Sequence, residues 1–475
     1  MTSTAAPIIV LFRNDLRLSD NKALSAAAQT GRPVVPLFVF DEQGARPAGA
    51  ASRWWLHHSL SALMKSLEAL GSGLLLKRGA TEKIVADTIK ATGSDTVYWN
   101  RRYAPAHIAS DTALKTGLRS DGFVAESFDG FLLHEPSRVA TQSGDFYKVY
   151  TPFYKRLAAD GEPRDPVDAP SAIRAASVKL GSDRLESFDL LPNKPEWSGG
   201  LADRWVPGER GAMDRLETFL DNRLAGYSEN RDVPGVEGTS GLSPHLAHGE
   251  ITPFQIMAAL RRRPGGDVEK FRKELAWREF SYHLLFHRPN IDHENFRPEF
   301  DDFGWETDAS ALKAWQRGET GYPIVDAGMR ELWQTGWMHN RVRMIVASFL
   351  IKDLLIDWRR GEQWFWDTLV DADAANNPAS WQWVAGSGAD AAPYFRIFNP
   401  TLQGEKFDPE GKYVRRYVPE LAKLPGRYMH RPWEAPSSVL QDSGITLGKD
   451  YPLPIVDHAK ARDRAMAAYR AMRGT

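Results

Sequence analysis

Four short apolar runs in the first hundred residues, each separated from the next by an amphipathic or polar stretch, constrain this chain more than any other feature. Ile8-Ile9-Val10-Leu11-Phe12, Val34 to Phe40, Leu74-Leu75-Leu76 and Thr96-Val97-Tyr98-Trp99 are short and nearly continuous in apolar side chains, the pattern of strands buried on both faces. Between them, Trp55, Leu56, Leu60, Leu63, Leu67 and Leu70 recur at helical spacing over Trp54 to Leu70. Thr81 is placed to cap a helix ending near Gly93. Strand and helix in alternation predict a doubly wound parallel sheet over residues 1–131. The turn after the first run, Phe12-Arg13-Asn14-Asp15-Leu16-Arg17, contains no glycine. It therefore cannot wrap a pyrophosphate as a dinucleotide-binding turn does.

That alternation then stops. Residues 132–210 are expected to form an interdomain connection, because Pro163, Pro166, Pro170, Pro192, Pro195 and Pro207 interrupt every periodic pattern from about residue 160 onward. From 211 to 475 helical periodicity dominates, over Gly211–Leu224, Pro253–Leu260, Val268–Phe286 and Val325–Leu355. The expected fold class is an N-terminal α/β domain with a parallel sheet followed by an all-helical domain.

Several functional classes are excluded at this level. The sequence has no cysteine, which removes disulfides, thiolate metal sites and cysteine nucleophiles together. No apolar run approaches the roughly 20 residues that span a bilayer, and the opening residues lack a basic segment followed by an apolar one. A soluble, cytoplasmic protein without a membrane partner is expected. With a net charge of -1, binding to nucleic acid would need a local basic face. Arg261-Arg262-Arg263, Arg341 with Arg343, Arg359-Arg360 and Arg415-Arg416 are the candidates, each of which reads equally as solvated helix surface.

The chemistry-bearing residues cluster in the helical half. Tyr227 to Arg231 precede Gly238-Thr239-Ser240-Gly241-Leu242-Ser243-Pro244, where small hydroxyl residues before a proline suit either a helix cap or an anion held by free backbone N–H groups. Glu274, Trp277 and Arg278 share a helix face, an arrangement fit for a base or for a salt bridge over a packed indole. Gly321-Tyr322-Pro323, Trp337-Met338-His339-Asn340-Arg341 and Asp371 to Asn377 follow. Glu279, His283 and His287 recur every fourth residue, as metal ligands would; polar helix surface is the expected reading, and no metal is expected. Eleven of the 16 tryptophans lie between Trp277 and Trp433, which suits a large core and also stacking or electron transfer.

In this order, these motifs resemble the photolyase/cryptochrome family nearly end to end, including the opening Phe12-Arg13-Asn14-Asp15-Leu16-Arg17. The resemblance implies an N-terminal antenna domain and a helical domain that holds FAD, with contacts from Tyr227, Thr239, Ser240, Gly241, Leu242, Ser243, Glu274, Arg278, Asn340, Arg343, Asp371, Asp373 and Asn377. It implies that Arg343 pairs with Asp371 and that Asn340 faces the flavin. The implied reaction is light-driven splitting of cyclobutane pyrimidine dimers in DNA by an electron from excited, reduced FAD. Glu274, Trp277, Asn340, Met344 and Trp383 would form the catalytic pocket around the flipped-out lesion. Arg231, Arg341 and Gln403, together with Glu274, Trp277, Asn340 and Trp383, would bind damaged DNA. Trp381, Trp358 and Trp305 match the family's electron-transfer chain, with Trp364 and Trp366 as a possible second branch.

Details point within the family. Asn340 stands where plant cryptochromes carry Asp, and Trp277 is kept, both of which favour dimer repair over light signalling. At two positions that hold methenyltetrahydrofolate in some bacterial members this chain has His107 and Asp292, so that antenna, still the expected one, would sit elsewhere. These features resemble class III photolyases. Trp54 or Trp55 could stack on the pterin, although core packing is the expectation for each. A monomer is expected.

Overall fold

The computed structural model describes residues 5–176, 181–263, 265–391 and 395–474. The opening four residues, part of the segment read above as carrying no leader, lie outside it. The first domain is β1 (Ile8–Phe12), α1 (Lys22–Gln29), β2 (Val34–Phe40), α2 (Ala50–Ala69), β3 (Leu75–Arg78), α3 (Thr81–Thr92), β4 (Thr96–Asn100), α4 (Pro105–Ser120) and β5 (Val124–Phe128). All pairings are parallel, in the order β3-β2-β1-β4-β5.

Both faces of the sheet are covered, which explains the unbroken apolar runs. Ile8, Val10 and Phe12 pack with Leu24, Leu60, Leu63 and Leu67 of α1 and α2 on one side. Ile9 and Leu11 pack with Val85, Ile89, Leu114 and Leu118 of α3 and α4 on the other. The period of two along β1 thus feeds two separate cores.

Three local expectations need correction. Thr81 is the first residue of α3 rather than its cap; Ala80 occupies the cap position, and the Thr81 N–H and hydroxyl both donate to Asp41 Oδ2, at 2.9 and 2.7 Å. The single helix expected over Val325–Leu355 is three pieces: Pro323–Thr335, Asn340–Ser348 and a π-helical turn at Phe349–Asp353. Gly336, at φ 64°, ends the first, and the His339 ring accepts from the Arg341 N–H to begin the second. The break puts Asn340 at a helix start. The edge strand β5 was not foreseen.

The connecting segment packs against both halves. Phe153, on the Tyr150–Ala159 helix, meets Phe280 of the long Gly266–His287 helix. Farther on, the Val34 N–H donates to Arg174 O at 2.8 Å, and Ile173, Leu185, Phe188 and Leu190 join the first sheet core. The two domains are also bonded directly. Trp55 Nε1 donates to Glu250 Oε1 at 2.9 Å, and Arg17 Nη1 donates to Gly249 O at 2.9 Å. Among the described residues no helix is long and apolar enough to cross a membrane.

Candidate active site

Three of the residues expected to hold a cofactor, Ser243, Arg343 and Asp371, meet where the Asn340–Ser348 helix faces the loop before the Asn376–Ala385 helix. Arg343 Nη2 donates to Asp371 Oδ2 at 2.8 Å, and the Ser243 hydroxyl donates to the same oxygen at 2.6 Å. Arg343 Nε is fixed by Met338 O at 2.7 Å, and Trp337 Nε1 donates to Ser243 Oγ at 3.3 Å. Asp371 Oδ1 is buried and accepts nothing among the described residues. Arg278 supplies the complementary case. Its Nη1 donates to Phe131 O at 3.0 Å and its guanidinium lies 4.4 Å from the Phe131 ring, but Nη2 is buried without a partner. A buried acceptor and a buried donor left open are costly unless a polar ligand fills them.

Other expected cofactor residues have structural duties as well. Asp373 caps the Asn376–Ala385 helix by accepting from the Ala375 and Asn376 N–H groups at 2.8 and 2.6 Å. Its pKa is raised by burial, against which these bonds act. Leu242 and Tyr227 belong to a helical core with Phe219 and Phe271. Thr239, Ser240 and Gly241 are half-buried just before the short Ser243–Ala247 helix, which has no side-chain cap. Asn377 donates to Glu362 O at 3.1 Å and to Glu362 Oε1 at 2.8 Å.

Arg341 and Gln403, two of the residues expected to hold DNA, line an opening. A cavity of about 630 Å³ is lined by Glu229, Asp232, Arg341, Gln403, Lys406 and Phe407, among others. Glu274 is ion-paired with Arg231, and Asp232 bridges to Arg341 Nη2 at 2.9 Å. Arg341 also lies 4.4 Å from the Phe407 ring and reaches the Met344 sulfur at 3.9 Å. Trp277 is stacked on Tyr150 with centroids 3.7 Å apart and planes 5° off parallel, while Tyr150 donates its hydroxyl to Lys273 O. Trp383 donates to Asp390 O at 3.1 Å and lines a small adjoining pocket; Arg396 and Phe398 line both openings. Asn340 is exposed at the first turn of its helix.

Sequence reasoning missed Asp232, Lys406 and Phe407. Asp232 adjoins Arg231, but nothing in the sequence tells which arginine it bridges to.

Trp381, Trp358 and Trp305 share one core, the first two buried and Trp305 partly so. Trp358 donates to Asn295 Oδ1 at 3.0 Å, whereas the Trp381 indole N–H is buried without a partner. Gly361 lets Trp381 approach the helix that carries Trp358, because a Cβ there would fall 2.1 Å from the Trp381 ring. Trp364 stacks on Trp333, at 6.1 Å and 8°, and Trp333 is 55% exposed. Trp366 instead lies under Arg46 at 4.1 Å.

Some sequence candidates fall away. Glu279 and His283, expected as polar surface, are instead buried against the connecting segment. Glu279 accepts from the His134 N–H at 3.1 Å and His283 Nε2 from the Tyr147 N–H at 2.9 Å, while His287 stacks on Phe146. Among the described residues no group could hold a metal ion. Trp54 and Trp55 are core residues. His107 is pulled down to a pKa of about 3 by burial and by Arg102, and Asp292 lies 2.7 Å from His293. Most of the basic clusters serve packing. Arg261 pairs with Asp165, Arg263 with Asp221 and Arg359 with Asp357, and Arg415 donates to the carbonyls of Ala422 and Leu424. Of these clusters, Arg341 with Arg343 reaches the site.

Comparison with known proteins shows the family. A sequence family described as the FAD binding domain of DNA photolyase matches residues 271–471, and one described as DNA photolyase matches residues 8–171. A deoxyribodipyrimidine photo-lyase of Agrobacterium fabrum is 58% identical, with both chains covered in full. Cryptochrome-1 of Arabidopsis thaliana is 40% identical over 96% of this chain and 69% of its own length. The crystal structure of a bacterial class III photolyase from Agrobacterium tumefaciens superposes with a TM-score of 0.98 at 57% identity, covering 100% of this chain and 99% of that one.

Proposed function

This chain belongs to the DNA photolyase/cryptochrome family, and on that premise we propose that it is a deoxyribodipyrimidine photo-lyase that repairs cyclobutane pyrimidine dimers in DNA under light. The observation that carries the reading is the presence of two open buried groups, Asp371 Oδ1 and Arg278 Nη2, in a domain that also has a solvent-open cavity lined by Arg341 and Gln403. One polar ligand is needed inside, and a second, larger one can enter from outside.

The residues present fit FAD. Asp371 offers an acceptor to a donor on the ligand, and Arg278 a donor to one of its acceptors. The Arg343–Asp371 pair keeps the buried charges compensated. Thr239, Ser240, Leu242 and Ser243 would hold the phosphates, with Tyr227, Glu274, Asn340, Asp373 and Asn377 completing the contacts. When bound and reduced, FAD supplies on excitation the electron that opens the cyclobutane ring and takes it back afterwards. The chain's own residues position the lesion. Photolyases are among the enzymes that extrude their target base from the duplex. Trp277, already flat on Tyr150, and Trp383 present apolar walls to the flipped dimer, and Met344 lies against Arg341. Glu274 and Asn340 supply hydrogen bonds to the base edges, and Arg231, Arg341 and Gln403 hold the DNA. Trp381, Trp358 and Trp305 would return electrons to an oxidised flavin.

The same reading takes residues 1–131 as the antenna domain, 132–210 as the connection and 211–475 as the catalytic domain. It takes the antenna as methenyltetrahydrofolate and the protein as a cytoplasmic monomer.

The test is repair of a thymine-dimer oligonucleotide by purified, reduced protein, with a dark control. Dimer loss under blue or near-ultraviolet light alone is the expected result. Flavin that photoreduces while dimers persist would establish a cryptochrome-like protein instead.

A further inference from the structure

Arg46 lies in the loop after β2, in the N-terminal domain, 316 residues from its partner. Its Nη1 and Nη2 donate to Glu362 Oε1 and Oε2 at 2.7 and 2.9 Å, a bidentate pair. The Glu362 side chain is 2% exposed. Glu362 in turn meets Asn377, whose Nδ2 donates to both the backbone oxygen and Oε1 of Glu362. A carboxylate and a carbonyl can only accept, so the chemistry fixes which end of the Asn377 amide faces Glu362. Asn377 Oδ1 is left with no hydrogen bond among the described residues. Glu362 thus orients an acceptor; burial pushes its carboxyl pKa up, and Arg46 is the main group that pulls it back toward the ionised form.

We propose that Arg46 is a positioning residue for the flavin: from the antenna domain it holds Glu362 charged, and Glu362 presents Asn377 Oδ1 to a donor group on the cofactor. The inference rests on the reading above that Asn377 contacts FAD. It gives the domain interface a function beyond docking, because docking has other bonds of its own. Trp366 Nε1 donates to Pro47 O at 2.8 Å, the Ala50 N–H to Asp367 Oδ1 at 2.9 Å, and the Ser52 hydroxyl to Leu369 O at 3.3 Å. The loop can therefore stay docked without Arg46.

The experiment measures FAD dissociation from the full-length protein by flavin fluorescence for Asn377→Ala, Arg46→Ala, Arg46→Lys, Asp367→Ala and the double variant Arg46→Ala/Glu362→Gln. Arg46→Ala is expected to raise the FAD Kd at least about tenfold, the scale set by leaving a buried charge without its partner. The double variant, which removes the stranded charge, is expected to recover most of that loss, and Arg46→Lys to lie between. Asp367→Ala, which weakens docking alone, is expected to leave the Kd unchanged. An unchanged Kd for Arg46→Ala, or a loss that the double variant does not recover, would overturn the proposal. Should Arg46→Ala fail to fold, Arg46→Lys and Glu362→Gln carry the same comparison. If Asn377→Ala leaves the Kd unchanged, it is the assignment of Asn377 to the flavin site that has failed.

Discussion

Arg343 and Asp371 are joined through one oxygen only: Oδ2 accepts from Arg343 Nη2 at 2.8 Å and from the Ser243 hydroxyl at 2.6 Å, while the buried Oδ1 accepts nothing among the described residues. The free oxygen is the acceptor assigned here to FAD. Asp371→Asn keeps the shape but removes the charge that balances Arg343. Loss of one charge-assisted bond is worth about 1.5–3 kcal/mol, so flavin affinity is expected to fall at least about tenfold. The ratio of flavin to protein absorbance after gel filtration reads this directly. Full flavin occupancy in the variant would remove Asp371 from the site.

Trp364 gives the second prediction. It stacks on a tryptophan that is more than half exposed, so an electron hole that reaches it has a route to solvent. Trp358→Phe is expected to slow flavin photoreduction without abolishing it. The double variant with Trp364→Phe is expected to lose what remains. A single Trp358→Phe variant that cannot be photoreduced at all would leave no role for the second branch, and Trp366, held under Arg46, is expected to be silent in either background.

The general plan was legible in the sequence for reasons visible in the packing. The strands of the sheet centre are apolar on both faces because both faces are buried, and β1 alone supplies two cores. β5 was not legible because it lies at the sheet edge, where Val124 is 47% exposed and only Ala125 is buried. The break near Gly336 was masked by apolar periodicity that continues through it. Periodicity also misled at Glu279 and His283, since spacing tells that side chains share a face but not what that face meets. Asp371 and Arg343 were paired through the resemblance, before any geometry. Arg46 and Glu362 could not be paired in this way, because nothing local in a loop or on a helix signals a partner 316 residues away.

Glu279 yields a pH prediction. Burial pushes its carboxyl up to about 7, against the pull of Arg278 and of the Leu133 and His134 backbone N–H groups. A folded pKa above the unfolded value of about 4.3 means that the folded state binds more protons between the two. The group's contribution to stability is then fully present below pH 4.3 and is lost as the pH rises through 7. The swing is on the order of 3 kcal/mol. Glu279→Gln, which keeps the shape, is expected to be more stable relative to the parent at pH 8 than at pH 5. Asp326, Glu331 and Asp373 shift the same way, so the comparison must be the difference between variant and parent Tm at each pH. An equal difference at both values would show that Glu279 does not titrate in this range.

Leu402 gives the last prediction. It is 57% exposed on the Pro400–Phe407 helix, next to Gln403 and four residues before Lys406, both of which line the cavity. A large apolar side chain held in water beside a DNA-binding rim costs solvation in the free protein and can recover it only against an apolar partner. The available partners are the bases uncovered when the lesion leaves the stack, as apolar wedges use them elsewhere. In single-stranded DNA no stack has to be opened. Leu402→Ala is therefore expected to weaken binding of a dimer in duplex DNA by about threefold to tenfold, on the scale of one apolar side chain's burial, and to leave binding of the same dimer in a single strand unchanged. Fluorescence anisotropy with the two oligonucleotides separates the cases. Equal weakening on both would place Leu402 on the phosphate backbone path, and no change on either would leave it as ordinary surface.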